Sequence, residues 1–390
     1  MSDTFKMFID LMKILLTKIP KSIFGDRRRV EVLAWGVVAL CFTKTVNLNQ
    51  WSDVVISRAT YAASHQRRFK RWLENPKIKP IAFYTPLLQA ALADWPKNQR
   101  FFVPLDTSDL GNGYILIRAG LVYRGRTIPI SWRVIKHGST SVGFSAYEQI
   151  LEDVLNILPK GANIIFLADR GFVHKKFIQF CRRHGVHFRI RVKSNTVIKF
   201  NDRHVTNASA LCPPTGCACF YDNVSILTED IGSINLAVAN AADAKEAWYI
   251  ITDEKADVST LDDYALRFDI EENFLDDKSN GFQVESSRLK NAKQLERLFL
   301  LIAVASLYFT TVGVGVVNLK KRRWVDTHWD RGMSYLKIGW RWLRQQFNKG
   351  WSKLNWFWLD PSPDPEPAIA SRTKAAAKKR TWIILYAEPP

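Results

Sequence analysis

The sequence DDYALRFDIEENFLDDKSNGF, residues 262–282, contains a phenol, a carboxylate and two cations at regular intervals. The four residues are Tyr264, Arg267, Glu271 and Lys278. If the segment is one α-helix that turns by about 100° per residue, their side chains share a stripe about 60° wide, and Glu272 lies outside it at roughly 80°. This arrangement suits metal-assisted phosphodiester chemistry, although a solvated helix face with an Arg–Glu pair has the same spacing.

Two aspartates upstream each follow an apolar run that predicts a β-strand. In FFVPLDTSDL the run leads into Asp106, and in NIIFLADRGF it leads into Asp169. Asp109 is an alternative to Asp106, and an aspartate at a strand end is often only a turn or cap residue. Together with Glu271, the two aspartates predict a site of three carboxylates.

These motifs resemble those of the DDE transposases of bacterial insertion sequences. The likeness lies in the spacing Tyr-(2)-Arg-(3)-Glu-(6)-Lys and in the Asp-Thr-Ser and Asp-Arg-Gly-Phe sequences that begin at Asp106 and Asp169. It extends roughly over residues 60–345. The resemblance implies an α+β (mixed α/β) fold. Its ribonuclease H-like catalytic core would be interrupted by a β-strand insertion and flanked by helical N-terminal and C-terminal regions.

The resemblance assigns the three carboxylates to catalysis and metal binding. Asp106, Asp169 and Glu271 would hold two Mg²⁺ ions, or Mn²⁺ in their place, in each active site. Oxygen ligands suit both ions, and clustered carboxylates repel one another unless a cation lies between them. The implied activity is cleavage at insertion-sequence ends. The freed 3′-hydroxyl then joins to the opposite strand, as a hairpin, or to target DNA.

Further residues are implied to contact DNA. Tyr264, Arg267 and Lys278 would hold phosphates near the cleaved end, with Arg170 as an additional contact. Trp248 matches a family tryptophan that stacks on a flipped-out base, although a core tryptophan on a strand fits the same pattern. The N-terminal contacts would come from the basic face of an amphipathic helix, at Arg67, Arg68 and Arg71.

Two other activities are compatible with the sequence. One is a ribonuclease H-like nuclease that cuts without joining, and the other is a catalytically silent DNA-binding relative of the transposases. The retained carboxylates and the neighbouring cations favour the transposase. The resemblance implies that the partner is double-stranded DNA, both as transposon ends and as target. A homodimer would bind two paired ends.

Composition agrees with a nucleic-acid partner but does not establish one. The chain has 56 Lys and Arg against 37 Asp and Glu, a net charge of +19, which favours a polyanionic partner but also fits an ordinary basic protein. Its five cysteines are sparse and suit a reducing cytoplasm. The family resemblance implies a bacterial, cytoplasmic and nucleoid-associated protein. The cluster Cys212, Cys217 and Cys219 matches no common zinc spacing.

Residues 298–317 form an uncharged apolar stretch of twenty residues. This length would allow the segment to span a membrane. The alternative is a buried core helix directly after the Glu271 segment, which agrees with the family resemblance. We therefore expect no membrane contact, and we expect Gly313 and Gly315 to mark the end of the helix.

Composition and pattern divide the chain into successive regions. We predict a helical N-terminal DNA-end-binding region in 1–95, a catalytic core in 96–193 and 256–318, a β-rich insertion in 194–255, a helical region rich in Trp and basic residues in 319–359, and a Pro-rich linker with a basic tail in 360–390. The last region is expected to be disordered unless DNA or a partner orders it.

Overall fold

The computed structural model describes residues 2–96, 98–200, 204–226, 231–242, 244–278, 281–351, 354, 356–368 and 381–385. The helices are α1 Asp3–Lys18, α2 Lys21–Phe24, α3 Arg27–Thr43, α4 Leu48–Trp51, α5 Ala62–Glu74, α6 Pro80–Ala91, α7 Glu148–Ile157, α8 Lys175–His184, α9 Val258–Ala265, α10 Phe268–Asp277, α11 Ala292–Asn318 and α12 Tyr335–Gln345. The strands are β1 Arg100–Asp109, β2 Tyr114–Tyr123, β3 Arg126–Lys136, β4 Asn163–Ala168, β5 His187–Arg191, β6 Val197–Lys199, β7 Val205–Asn207, β8 Cys217–Ile226, β9 Ile234–Ala239, β10 Trp248–Thr252 and β11 Ile383–Ile384.

Strands β1 to β5 form the part of the sheet that a ribonuclease H-like fold requires. Their spatial order is β3-β2-β1-β4-β5, in which β1, β4 and β5 run parallel while β1, β2 and β3 are antiparallel neighbours. The β2–β3 hairpin turns at Arg124 and Gly125, which both have positive φ, as a tight hairpin turn favours. The mixed α+β class and the ribonuclease H-like core predicted from the sequence are confirmed.

Strands from the predicted insertion continue the core sheet. β10 pairs antiparallel with β5, with Ile250 opposite Arg191, and the order then runs β10-β9-β8-β6-β7. The insertion therefore shares one sheet with the catalytic core, because β10 covers the edge of β5 that would otherwise present unpaired backbone groups. Near the C-terminus, β11 adds a short parallel strand beside β8.

Helix α11 is the centre of the helical layer. It contacts β3 of the sheet and packs against α3, α5, α6 and α12. By length and composition this helix could cross a membrane, but its apolar stretch is wholly buried inside the protein. Residues 298–317 therefore form a core helix, which was the alternative to a membrane span.

The glycines that were expected to end α11 lie inside it, because the helix continues to Asn318. They allow close contact instead. A Cβ atom on Gly313 would lie 2.0 Å from the Tyr335 carbonyl oxygen, and one on Gly339 would lie 1.8 Å from that of Phe309. Glycine at these positions thus lets α11 and α12 approach backbone to backbone.

The C-terminal region is less helical and more ordered than the sequence predicted. Within the described part of 319–359, the helical structure is α12 and a short 3-10 turn. Residues 360–368, which we call the acidic strap, are not disordered: Asp364 accepts hydrogen bonds from Arg331 at 2.7 Å and from the Tyr335 hydroxyl at 2.6 Å. The strap is ordered because buried arginine charges need carboxylate partners. Most of the predicted basic tail lies outside the described residues.

Candidate active site

Asp106 and Asp169 are neighbours at one edge of the core sheet. β1 and β4 run parallel with Leu105 opposite Ala168, so the two aspartates follow directly at the end of the paired region. Asp106 is still within β1, and its Oδ1 accepts a hydrogen bond of 2.8 Å from the Thr107 N–H. Asp169 follows the end of β4 and begins a short 3-10 turn. Both carboxylates therefore border the same cleft.

The segment that carries Glu271 is two helices rather than one. α9 ends at Ala265 and α10 begins at Phe268, and a hydrogen bond of 3.0 Å from the Arg267 N–H to the Tyr264 carbonyl oxygen closes the turn between them. An i→i−3 bond of this kind winds the chain more tightly than an α-helix does and changes the rotation between Tyr264 and Glu271. The expected continuous stripe on a single helix is therefore wrong.

The turn directs Arg267 towards the carboxylates. Its guanidinium donates from Nη1 to Asp106 Oδ2 at 3.2 Å and from Nη2 to Glu271 Oε1 at 2.6 Å. The charges of Glu271 and Asp169 both act on Asp106. Arg267 thus bridges two of the predicted carboxylates, Asp106 and Glu271, and Asp169 follows the strand next to that of Asp106.

Burial governs the protonation of this cluster. Burial raises the pKa of Asp106 to about 6, against the opposing effects of Arg267 and the Thr107 N–H. Burial alone would lower the pKa of Arg267, but Tyr264, Asp106 and Glu271 raise that pKa above its ordinary value. A cation next to Asp106 therefore stabilises its ionised form, which burial disfavours.

A surface cleft of about 530 Å³ opens beside the two aspartates. Its other polar and basic lining residues are Thr107, Thr140, Ser141, Arg170, His174 and Lys193. Glu271 is not part of this lining and approaches Asp106 from α10. Carboxylates beside cations and hydroxyl groups form a surface that can bind a polyanion together with its metal ions.

The three carboxylates fit a hard divalent cation. Asp169 Oδ1 is buried without a hydrogen-bond partner, which leaves it available as a ligand. Asp106 and Glu271 already share one cation, the guanidinium of Arg267. Among the described residues, no group of three or more His, Cys, Asp or Glu side chains has the geometry to hold a metal ion. Binding therefore requires the carboxylates to rearrange around Arg267.

Tyr264 and Trp248 are buried rather than directed at the surface. Tyr264 is 0% exposed and Trp248 is 4% exposed, and their rings meet edge to face with centroids 5.4 Å apart. Phe268 packs against both rings. Neighbouring rings cover both side chains in the DNA-free chain, so the contacts of Trp248 with a flipped base and of Tyr264 with phosphate stay predictions. Trp248 is the core tryptophan of the alternative interpretation.

Arg170 and Lys278 take different positions relative to the carboxylates. Arg170 lines the cleft, where its side chain is 47% exposed and pairs with Glu246 at 3.5 Å. Lys278 caps the far end of α10, roughly 10 Å along the helix from Glu271, and its charge acts on Asp277. Arg170 is thus close to the aspartates, whereas Lys278 lies further along the surface.

The three N-terminal arginines lie on α5. Arg67 and Arg71 are exposed, and Arg68 is half-buried and pairs with Glu31 at 3.6 Å. The opposite face of the helix is buried, with Phe69 as one of its core residues. Because α5 packs against α3, α4 and α11, this basic face belongs to the helical layer and not to the sheet edge that carries the carboxylates.

His174 and Lys193 line the cleft, although the sequence motifs do not single them out. His174 precedes α8, and Lys193 comes shortly after β5, the strand next to β4. The carboxyl ends of neighbouring parallel strands meet at one edge of a sheet, where ligands bind. The strand-like sequence HFRIRVK, which ends at Lys193, was therefore a usable signal.

Comparison with known proteins gives one family match and one structural similarity. Residues 121–308 match the family model described as "Transposase DDE domain", a range that includes Asp169 and Glu271 and begins after Asp106. No curated protein sequence matches the chain. Among solved structures, the chain is similar to the piggyBac transposase in a synaptic complex with hairpin DNA, at 11% identity and a TM-score of 0.36, over 96% of this chain and 90% of that one. The match of residues 121–308 supports a DDE transposase domain in this part of the chain.

Proposed function

We propose that this chain is an active transposase that cleaves DNA at the ends of a bacterial insertion sequence and joins the freed ends to other DNA, by a cut-and-paste route. The observation that carries the proposal is the position of Asp106 and Asp169 in a cleft lined by basic and hydroxyl side chains, with Glu271 linked to Asp106 through Arg267. The match to the transposase DDE domain supports the same reaction class.

Asp106, Asp169 and Glu271 would together hold two Mg²⁺ ions, or Mn²⁺ in their place. When bound, such ions lower the pKa of an attacking water or 3′-hydroxyl and stabilise the leaving oxygen. The chain supplies oxygen ligands on two neighbouring strands and one helix, and the buried Oδ1 of Asp169 has no protein partner to give up.

The reaction would proceed in two steps. Water attacks a phosphodiester at the end of the element and produces a 3′-hydroxyl and a 5′-phosphate. That 3′-hydroxyl attacks a second phosphodiester, on the opposite strand to close a hairpin or in target DNA, and displaces a new 3′-hydroxyl. Arg170, His174 and Lys193 would hold the phosphates in the cleft, because cationic donors bind phosphate oxygens strongly.

Double-stranded DNA is the proposed partner, both as transposon ends and as target. The exposed Arg67 and Arg71, with Arg68 beside them, would contact the phosphate backbone. Arg267 and Lys278 would contact phosphates near the cleaved end once DNA is bound. Two copies of the chain on paired ends would form the working homodimer, in the cytoplasm where the nucleoid is accessible.

The proposal is tested with the purified chain, Mg²⁺ and a duplex that carries the terminal sequences flanking its gene. The wild type should nick the duplex at the element boundary and then form joined or hairpin products. Asp106→Asn, Asp169→Asn and Glu271→Gln should each slow cleavage by about 10³-fold or more while end binding persists, because each removes a charged metal ligand. Full cleavage by one of these variants would remove that residue from the site.

The matched control is Glu272→Gln, which should cleave nearly as fast as the wild type. Glu272 is next to Glu271 in sequence, but its carboxylate pairs with Arg126 of β3 at 3.2 Å and not with Arg267. A loss of cleavage in this variant equal to that in Glu271→Gln would mean that any change in this part of α10 disrupts the enzyme.

The reaction products also distinguish a transposase from the two alternative activities. A nuclease of the same fold would nick the duplex in a metal-dependent way but would give no joined or hairpin species. A silent DNA-binding relative would bind the ends and leave them intact, in the wild type and in Glu271→Gln alike. Joined products that require all three carboxylates are expected only of a transposase.

A further inference from the structure

In the metal-free protein, the guanidinium of Arg267 is the positive charge that lies between Asp106 and Glu271. It bridges Asp106 Oδ2, at 3.2 Å, and Glu271 Oε1, at 2.6 Å. Within the described part of the chain, these two carboxylates are the acceptors that its terminal nitrogens reach, and its Nε is buried without a partner. The bridge therefore depends on the two proposed metal ligands themselves.

The position of Arg267 is fixed by packing as well as by charge. The residue is 5% exposed, and its guanidinium lies 4.7 Å from the centre of the Phe268 ring and 5.8 Å from that of Tyr264. It is the N-cap residue of α10 and follows α9 by two residues, so its backbone is held between two helices. Aromatic faces stabilise a cation that is withdrawn from water. Packing therefore holds this buried cation in a defined position next to the carboxylates.

A metal ion and this guanidinium compete for the same oxygens. Asp106 Oδ1 accepts from the Thr107 N–H at 2.8 Å, and Asp106 Oδ2 accepts from Arg267, so both oxygens of this carboxylate already have partners. Of the Glu271 oxygens, Oε1 is engaged by Arg267. A divalent ion bound by both residues would also place a second positive charge against the guanidinium, which is unfavourable where burial limits solvent screening.

We propose that Arg267 is an intrinsic counter-ion that closes the metal site of the DNA-free chain, and that it leaves the carboxylates when a DNA phosphate is present to receive it. This inference rests on the proposed function, since it takes the three carboxylates as metal ligands. Arg267 then has two alternating roles, as a substitute for the metal in the free protein and as a phosphate contact in the loaded complex.

The exchange couples metal binding to DNA binding. A phosphate that takes the guanidinium frees Asp106 and Glu271 for the metal, so DNA should tighten metal binding, and metal should tighten the binding of DNA by the same factor. The free protein would hold metal weakly and be protected from unspecific cleavage. Arg267 acts here as a positioning residue, through the ligands that it holds.

The test measures Mn²⁺ binding to the DNA-free full chain by the paramagnetic resonance signal of free Mn²⁺, without any activity readout. Arg267→Gln should bind Mn²⁺ about tenfold more tightly than the wild type, a factor within the usual range of coupling free energies. Adding Asp169→Asn to this variant should abolish the gain, because it removes a metal ligand. Equal or weaker Mn²⁺ binding by Arg267→Gln would overturn the proposal.

The matched control is Arg170→Gln. Arg170 is a cation of the same cleft whose described partner is Glu246 rather than an active-site carboxylate. Its substitution should change Mn²⁺ affinity by less than about threefold, as expected when one exposed charge is removed. A gain equal to that of Arg267→Gln would mean that general electrostatics, and not the bridge, controls metal binding.

A second variant keeps the test informative if Arg267→Gln does not fold, as judged by circular dichroism. Arg267→Lys retains the charge but cannot hold two carboxylates with a planar fork, so it should also tighten Mn²⁺ binding, by a smaller factor. Unchanged affinity in a folded Arg267→Lys protein contradicts the bridge. Failure of this inference leaves the cleavage test of the wild type unaffected, whereas a wild type that neither binds metal on DNA nor cleaves refutes the proposed function itself.

Discussion

At the scale of single residues, neighbouring members of one motif are stabilised in different ways. Arg267 is 5% exposed and has two carboxylate partners, so its buried charge is compensated. Tyr264 is 0% exposed, and its hydroxyl lies near Arg267 without a hydrogen bond of normal geometry. The ring of Tyr264 therefore contributes by packing against Trp248 and Phe268, and its hydroxyl contributes little.

Replacing Tyr264 with phenylalanine should preserve the fold. Because the buried hydroxyl has no partner, Tyr264→Phe is expected to leave the free energy of unfolding unchanged or to raise it by up to about 1 kcal/mol. Tyr264→Ala should lower it by about 3–5 kcal/mol, since it removes a whole buried ring. Urea unfolding followed by circular dichroism measures both changes.

The same variant reports on DNA contact. Tyr264→Phe should also cleave end duplexes at the wild-type rate, because the structure gives the hydroxyl no access to phosphate. A folded Tyr264→Phe protein that cleaves poorly would show instead that the aromatic cluster opens on DNA and that the hydroxyl then contacts the substrate.

At the scale of elements, α10 is held to the sheet by buried charged side chains. Arg118 of β2, 1% exposed, pairs with Asp277 at 2.6 Å and donates to the Asn273 side chain at 2.6 Å. Burial raises the pKa of Asp277, an effect that Arg118 opposes. Since α10 also carries Glu271, these pairs set the position of a proposed metal ligand relative to the sheet.

Removing one member of the buried pair should destabilise the protein strongly. Asp277→Leu leaves the Arg118 charge buried without its carboxylate, and it should lower the free energy of unfolding by about 3–5 kcal/mol. The double variant Arg118→Met with Asp277→Leu should recover most of that loss, because apolar side chains can replace a buried ion pair. Urea unfolding of Arg118→Met, Asp277→Leu and the double variant gives the coupling free energy between the two residues.

Glu272→Gln again serves as the control, with an expected change below about 1 kcal/mol because its ion pair with Arg126 is partly exposed. If Asp277→Leu lowered the free energy of unfolding by no more than Glu272→Gln does, the ion pair between Arg118 and Asp277 would not hold α10 in place.

At the scale of the whole molecule, the acidic strap joins distant parts of the chain. Asp360 pairs with Arg124 of the β2–β3 hairpin at 3.5 Å and accepts from the side chain of Asn318 at the end of α11 at 3.0 Å. Further along the strap, Asp364 pairs with the buried Arg331. The strap therefore connects the sheet, the central helix and the C-terminal layer.

Weakening the strap should destabilise the whole protein. Asp364→Asn removes the charge that compensates Arg331, which is 3% exposed, and it should lower the free energy of unfolding by about 1–3 kcal/mol. The control Asp330→Asn changes an exposed carboxylate in the same region and should stay within about 0.5 kcal/mol of the wild type. Thermal unfolding measures both.

Limited proteolysis gives a second readout, since cleavage within 360–368 should become faster in Asp364→Asn. Identical unfolding temperatures and proteolysis rates in the two variants would mean that the strap contributes nothing to stability.

The sequence by itself determined the parts of this protein that depend on local pattern. Apolar runs that lead into Asp106 and Asp169 predicted two strands of the sheet. A long uncharged stretch predicted the core helix α11. These features follow from the periods of side-chain burial in strands and helices, which neighbouring residues carry.

Only the tertiary structure decided which side chains face each other and which face water. The tight turn before α10 and the closeness of Asp106 direct Arg267 to carboxylates, and packing by Phe268 buries Tyr264 and Trp248. The pairing of β10 with β5 and the ordering of the acidic strap likewise depend on partners that are distant in sequence. Such contacts are formed between residues far apart in the chain, so the local pattern around each residue does not contain them.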